Sequence, residues 1–299
     1  MYKKHLSILI ASLMLSGCFA TSGGTDPSSK NGQLISYQYE FERKKDLKTD
    51  AVFRKPASVN GKHPAVIILH DGGGWITERT RQYADLFIAN GYATLEPRLF
   101  YDEKATRTLK KDLASLYSAL EYLSKQPEID KNKIYVVGMS AGANLAMLAK
   151  TKMAGETFSR SDTQFKAIAA LYPVCWGFSD TIDGKPPSVF TGFSIANMQN
   201  WQSTPIRLFI PELDDYDDKD TKTCDNFIEK IPSNEARSTF SVKVYAGATH
   251  GWDHGKTYSF PTSYACKGKG CINTNQSNPT VTQQGYTDIL EFFNSNQSQ

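Results

Sequence analysis

The chain has 299 residues, 40% of them hydrophobic and 12% aromatic, with 34 Lys and Arg against 31 Asp and Glu. This near-balance of charge, without a basic stripe interleaved with aromatics, excludes nucleic acid as a partner. Beyond the first 32 residues about 265 remain, enough for one α/β domain with a sizeable core.

The chain opens on a basic segment, Met1-Tyr2-Lys3-Lys4-His5, followed by an apolar run from Leu6 to Leu15 and then Ser16-Gly17-Cys18. The run falls short of the roughly 20 residues that span a bilayer and suits a secretory signal. A Cys directly after small residues resembles the bacterial lipobox, which implies cleavage before Cys18 and its diacylation. Residues 1–17 are then a signal peptide, whose removal takes Lys3 and Lys4 and lowers the net charge from +3 to about +1. Residues 18–32, rich in Ser, Gly, Asp, Pro and Asn, read as a flexible tether, and residues 33–299 as the folded body. Phe19 in place of Asp resembles the outer-membrane sorting pattern. The expected location is the bacterial cell envelope, anchored by lipid to the outer membrane and facing the periplasm or the exterior.

Leu34 to Phe41 alternates apolar and polar residues, and Ala51 to Arg54 predicts a second antiparallel edge strand. Ala65 to Leu69 is continuously apolar, as a strand buried on both faces should be. Arg81 to Asn90 predicts a helix stopped by Gly91, and Tyr92 to Leu95 a strand. Leu109, Leu113, Leu116, Leu120 and Leu123 recur at spacings of three and four, which predicts a helix from Thr106 to Lys125. A strand at Ile134 to Val137 and a helix at Ala141 to Lys150 follow, then a strand at Ala167 to Leu171. Tyr172 to Ser203 reads as irregular, with Pro186-Pro187 and the aromatics Trp176, Phe178, Phe190, Phe193 and Trp201; a loop this long is expected to be functional. Strands at Ile206 to Ile210 and Phe240 to Tyr245, and helices at Thr221 to Lys230 and Gln284 to Phe293, complete the pattern. Strand and helix alternate, so the expected fold is α/β: a mainly parallel sheet of about eight strands with helices on both faces.

Gly138-Met139-Ser140-Ala141-Gly142 joins a β-rich run to a helix-forming one. A strand that turns sharply into a helix around one serine is a nucleophile elbow. The glycines are required because a Cβ two residues either side of the serine would meet neighbouring backbone. The helix N-terminus beneath the hydroxyl supplies N–H groups and positive partial charge where an oxyanion forms. Such a serine needs a base, and the base needs a carboxylate to hold its tautomer. The chain order for this elbow is Ser, acid, His. His63 and His70 precede Ser140, whereas His250 follows the last strand and His254 lies one step further on. His250 is the predicted base and His254 reads as a solvated loop residue. The acid should follow the strand ending at Ile210, where Glu212, Asp214, Asp215, Asp217 and Asp218 all stand. Only one of these can face His250.

Cys175, Cys224, Cys266 and Cys271 remain after the leader, and an even number in an exported protein favours disulfides. Cys266 and Cys271 span a short Gly-rich loop and form a natural local pair, which leaves Cys175 with Cys224. No closely spaced histidines or second Cys-x-x-Cys point to a metal site.

Four ordered segments carry a resemblance: Gly138 to Gly142, Leu171-Tyr172-Pro173-Val174-Cys175, Leu208 to Tyr216 with Cys224 after it, and Tyr245 to Asp253. Their order and spacing are similar to the dienelactone hydrolase family of the α/β-hydrolase superfamily. The resemblance implies Asp214 as the acid, with Asp215 as the alternative, and His250 as the base. Leu69-His70-Asp71-Gly72-Gly73-Gly74-Trp75 resembles the oxyanion loop of α/β-hydrolases, which implies the N–H groups of Ala141 and Gly72 as donors, Gly73 remaining open. His70 is then a structural residue bonded within the loop. Members acting on dienelactone carry Cys where this chain has Ser140, and Pro211 stands where Gly usually precedes the acidic pair. The activity implied is hydrolysis of small-molecule carboxylic esters through an acyl-enzyme, with no cofactor or metal. Two other readings remain at this point. One is a non-catalytic binding protein of the cell envelope, suggested by the aromatics from Trp176 to Trp201. The other is a peptidase or acyltransferase using the same residues.

Overall fold

The computed structural model describes residues 32–57, 61–75, 78–100 and 108–297. The expected signal peptide, the lipidation of Cys18 and the tether up to residue 31 lie outside the described residues. Eight strands form one sheet: β1 (Gly32–Phe41), β2 (Lys44–Arg54), β3 (His63–Leu69), β4 (Ala93–Pro97), β5 (Ile129–Met139), β6 (Ile168–Leu171), β7 (Ile206–Pro211) and β8 (Phe240–Tyr245). Their order is β1-β2-β4-β3-β5-β6-β7-β8. β1 and β2 make an antiparallel hairpin at one edge, and every pair from β4 to β8 is parallel. This is the α/β-hydrolase fold.

The continuous apolar runs mark the strands with a core on each side. Ala65, Ile67 and Leu69 of β3 join one apolar cluster, while Val66 and Ile68 join the other. Successive side chains of a strand point to opposite faces, so a strand between two helical layers needs apolar residues at every position. One layer holds α2 (Leu109–Ser124) and α3 (Ala141–Ala149), and the other holds α1 (Glu78–Ala89) and α9 (Pro279–Ser295).

Helix ends follow local chemistry. α2 begins at Leu109, three residues inside the predicted start, because the Thr108 hydroxyl caps it by accepting the Lys111 N–H at 3.3 Å. Gly91 ends α1 at φ 83°. α9 starts at Pro279 rather than Gln284: the Asn278 side chain accepts the Val281 N–H at 3.1 Å, and proline suits a first helical position, whose N–H has no partner in the helix.

Two regions differ from expectation. The stretch 172–203 contains α5 (Trp176–Ile182) and α6 (Ile195–Met198), too short to show periodicity. Its Phe178, Phe193 and Trp201 are buried within the core rather than displayed. Short helices α4 (Lys152–Phe158), α7 (Thr223–Glu229) and α8 (Asn234–Ser238) connect the sheet, and a separate hairpin pairs β9 (Tyr258–Thr262) with β10 (Cys271–Asn275).

Cys175 is bonded to Cys224, and Cys266 to Cys271. The first bond ties the start of α5 to α7, and Asp217 reinforces it: its carboxylate accepts the N–H groups of Cys175 at 3.0 Å and Trp176 at 2.8 Å. Cys175, Asp217 and Cys224 bring metal-donor atom types together, but both sulfurs are already in the disulfide. Burial, and after it the charge of Asp214, pushes the Asp217 carboxyl up to about 7.

Two outcomes are expected. The Cys175–Cys224 bond closes a separation of 49 residues, so replacing both cysteines with Ser should cost about 2–4 kcal/mol in denaturant unfolding, and more than the same change at Cys266 and Cys271. The second concerns pH. Unfolded, Asp217 releases its proton near the ordinary 3.8; folded, it keeps it to about 7. The folded state therefore binds more protons in that interval, and this group's contribution to stability falls as pH rises from about 4 to about 7. Asp217→Asn should make the decline in melting temperature between about pH 5 and about pH 8 shallower than in the parent protein. An unchanged slope would contradict the assignment.

Candidate active site

Ser140 sits at the turn from β5 into α3 at φ 51° and ψ −111°, a backbone region that residues with a side chain rarely enter. Its N–H donates to Leu171 O at 3.0 Å, and its own carbonyl accepts the Asn144 N–H at 3.0 Å. The turn is closed by two contacts that leave no room for a methyl group. A Cβ at Gly138 would lie 2.3 Å from Gly142 O, and one at Gly142 would lie 2.3 Å from Leu69 O and 2.7 Å from His70 O. The second contact presses the elbow against the end of β3, where the glycine-rich loop begins.

His250 lies on the loop after β8. Its Nε2 is 2.9 Å from Ser140 Oγ and its Nδ1 is 2.9 Å from Asp214 Oδ2. His250 and Asp214 are each only 3% exposed, so this pairing is shielded from solvent. Asp214 Oδ1 accepts the Tyr216 N–H at 2.9 Å, which fixes the carboxylate. The imidazole also packs edge-on against the Tyr172 ring at 5.0 Å and at a tilt against Tyr216 at 4.4 Å.

The five acids after β7 have different partners. Asp214 faces His250, whereas Asp215 turns away: its Oδ2 accepts the Thr274 N–H of β10 at 2.8 Å. Glu212 accepts the Gly247 N–H at 2.7 Å, and Asp217 holds the start of α5. Asp218 adopts φ 58° in the turn. Asp214, Asp215 and Asp217 are all buried, so the run is not the solvated loop its acidity suggests.

His254 is likewise not solvated. It is buried, with Nδ1 2.8 Å from Tyr258 Oη and Nε2 3.2 Å from Asp71 Oδ2. Asp71 Oδ1 accepts the Gly73 N–H at 2.7 Å and the Arg79 Nη2–H at 2.8 Å. Burial alone would raise the Asp71 carboxyl, but His254 and Arg79 outweigh it and hold it well below the usual carboxylate range. His70 accepts the Leu99 N–H at Nε2, 3.2 Å away, so its Nδ1–H donates to Asp71 O at 2.7 Å. His70 thereby ties the glycine loop to the segment after β4. Asp253 accepts the hydroxyls of Tyr83 at 2.7 Å and Tyr172 at 2.9 Å. Arg79, Tyr172, Tyr216 and Asp253 escape a reading of the sequence. Tyr172, Tyr216 and Asp253 stand within the segments that carry the family resemblance, which assigns them no role, and Arg79 stands outside those segments.

Gly72, Ser140 and Ala141 open together into a cleft of about 780 Å³, which Phe41 and Leu109 also line, with Phe190 and Tyr264. Ala141 is the first residue of α3. A hydroxyl in reach of an imidazole whose far nitrogen meets a buried carboxylate is the arrangement that nucleophilic acyl transfer requires.

Comparison with known proteins agrees with this architecture. Esterase 2 of Thermogutta terrifontis with butyrate bound superposes with a TM-score of 0.63 at 15% identity, covering 89% of this chain and 94% of that one. A putative dienelactone hydrolase of Klebsiella pneumoniae gives a TM-score of 0.57 at 15% identity, covering 87% of this chain and 98% of that one. In sequence, the human carboxymethylenebutenolidase homolog is 23% identical over 207 residues, 64% of this chain and 71% of the relative. The quorum-quenching protein AidA of Acinetobacter baumannii is 24% identical over 147 residues, 47% of this chain and 45% of its own length. The sequence profile of the dienelactone hydrolase family matches residues 49–296, and the chain belongs to that family.

Proposed function

We propose that the protein is a serine hydrolase of carboxylic esters that works through Ser140, His250 and Asp214. One observation carries the reading: the unbroken chain Ser140 Oγ, His250, Asp214, with both contacts at 2.9 Å and Ser140 lining an open cleft. His250 Nε2 takes the hydroxyl proton as Oγ attacks the ester carbonyl. Asp214 holds the Nδ1–H and stabilises the imidazolium that forms. The tetrahedral oxyanion faces the amides of Ala141 and Gly72, each such donor being worth roughly 3 kcal/mol to the transition state. Gly72 is preferred over Gly73 because the Gly73 amide already donates to Asp71. His250 then protonates the departing alcohol, and water cleaves the acyl-enzyme by the same relay in reverse.

Serine in place of cysteine at residue 140 argues for ordinary esters over dienelactone. The rival reading of a scaffold without turnover drew on aromatics displayed between Trp176 and Trp201; the burial of Phe178, Phe193 and Trp201 removes most of that motive. The cell-envelope location, with the membrane as partner through a lipid on Cys18, belongs to the same proposal and rests on the leader sequence.

Purified protein should release p-nitrophenol from short acyl esters, with Ser140→Ala and His250→Ala lowering kcat by about 10⁴ or more. Asp214→Asn should lose about 10³–10⁴, and Asp215→Asn less than about tenfold. Equal rates for Ser140→Ala and the parent would refute the nucleophile. Equal losses at Asp214 and Asp215 would refute the choice of acid.

A further inference from the structure

Three aromatic residues from three separate segments meet in a row, two of them lining the cleft that Ser140 also lines. Trp176 opens α5, Phe190 lies in the following loop, and Tyr264 sits in the turn between β9 and β10. The Phe190 ring stands edge-on to both of the others, 5.4 Å from Trp176 and 5.6 Å from Tyr264. Trp176 Nε1–H donates to Tyr264 O at 3.2 Å, locking the two ends of the row.

The row is built rigid. Gly268, at φ 78°, lets the β9–β10 turn lie flush on Trp176, since a Cβ there would be 2.9 Å from the indole. The Cys266–Cys271 bond closes that turn. Cys266 N–H and Lys267 N–H donate to the carbonyls of Asp215 and Tyr216 at 2.7 and 3.0 Å, so the loop that carries Asp214 braces it.

A braced aromatic row would ordinarily be covered, yet this one is open. Phe190 is only partly buried, Tyr264 is 44% exposed and Val189 beside it is 59% exposed. Phe190, Tyr264 and Val189 line the same cleft as Ser140. Clustered apolar surface in a cleft beside reactive groups is a ligand site. We infer that Phe190 and Tyr264, backed by Trp176, are the specificity wall of the cleft, and that the substrate carries an aromatic ring on one side of its ester. This rests on the ester-hydrolase reading and adds the substrate class to it. A substrate ring extends the edge-to-face row and gains roughly two- to tenfold in binding beyond its buried area. The wall needs no reordering to receive it. The hydroxyl-bearing residues Thr108, Ser188 and Tyr216 also line the cleft and suit a ring with polar substituents better than a long alkyl chain.

The test compares kcat/KM by acid release for methyl cinnamate against methyl butyrate (ring on the acyl side), and for benzyl acetate against butyl acetate (ring on the alcohol side). The expected result is a preference of about tenfold or more for the aromatic member of one pair, which also identifies the side. Phe190→Leu keeps an apolar side chain without the ring and should cut that preference about fivefold or more, and Phe190→Tyr should restore it. Turnover with no aromatic preference in either pair, or a preference intact in Phe190→Leu, overturns the wall and leaves the esterase reading standing. The same comparison is read without turnover as Kd values on Ser140→Ala. A protein that cleaves no ester therefore sinks the esterase reading, while equal Kd values within both pairs overturn the wall.

Discussion

The imidazole of His250 is the part on which the site depends, and most of the surrounding structure holds it. Ser140 comes from the end of β5, Asp214 from the loop after β7 and His250 from the loop after β8. Parallel strands put these three loops at one edge of the sheet, which is why residues far apart in sequence come within 2.9 Å. The rings of Tyr172 and Tyr216 then limit how the imidazole can tilt. Buried geometry of this kind makes each hydrogen bond stronger and each misplacement more costly than at a solvated surface.

Behind this relay lies a second set of buried charges. Asp71 joins the glycine loop to Arg79 and His254, and His254 follows His250 on the same loop. The loop proposed to bind the oxyanion and the loop carrying His250 are thus fixed to each other through one carboxylate. Asp253 does the same for Tyr172, the residue after β6, and for Tyr83 of α1. Asp217 and the Cys175–Cys224 bond secure the other flank of Asp214. The aromatic row is braced through Asp215 and Tyr216. The acidic loop therefore connects His250, the disulfide and the aromatic row.

What was legible in the sequence follows from how local each cause is. The elbow shows because the strand, the turn and the helix are continuous in sequence and the demand on Gly138 is met within five residues; the demand on Gly142 comes from Leu69 and His70, remote in sequence. The central strands show because a sheet covered on both faces leaves a continuous apolar run. His250 shows by chain order. Asp214 could not be told from its neighbours by residue type. All five acids follow the same strand, and side-chain direction alone separates Asp214, facing His250, from Asp215, bonded to β10. His254 misled because its partner Asp71 lies on a loop remote in sequence, so its burial has no local sign. The aromatics after Trp176 misled because α5 and α6 are too short for periodicity to show which rings turn inward. The β9–β10 hairpin carries Pro261 within a strand and has no clear alternation, so nothing local announces it.

An activated serine differs from an idle one in its reactivity toward phosphorus electrophiles. The folded protein should be treated with a fluorophosphonate probe and the labelled peptide mapped by mass spectrometry, alongside His250→Ala. One adduct per chain is expected, on Ser140, with labelling lost on denaturation and slowed by about a hundredfold or more without the imidazole. A folded protein left unlabelled, or labelled equally fast without His250, would contradict the relay.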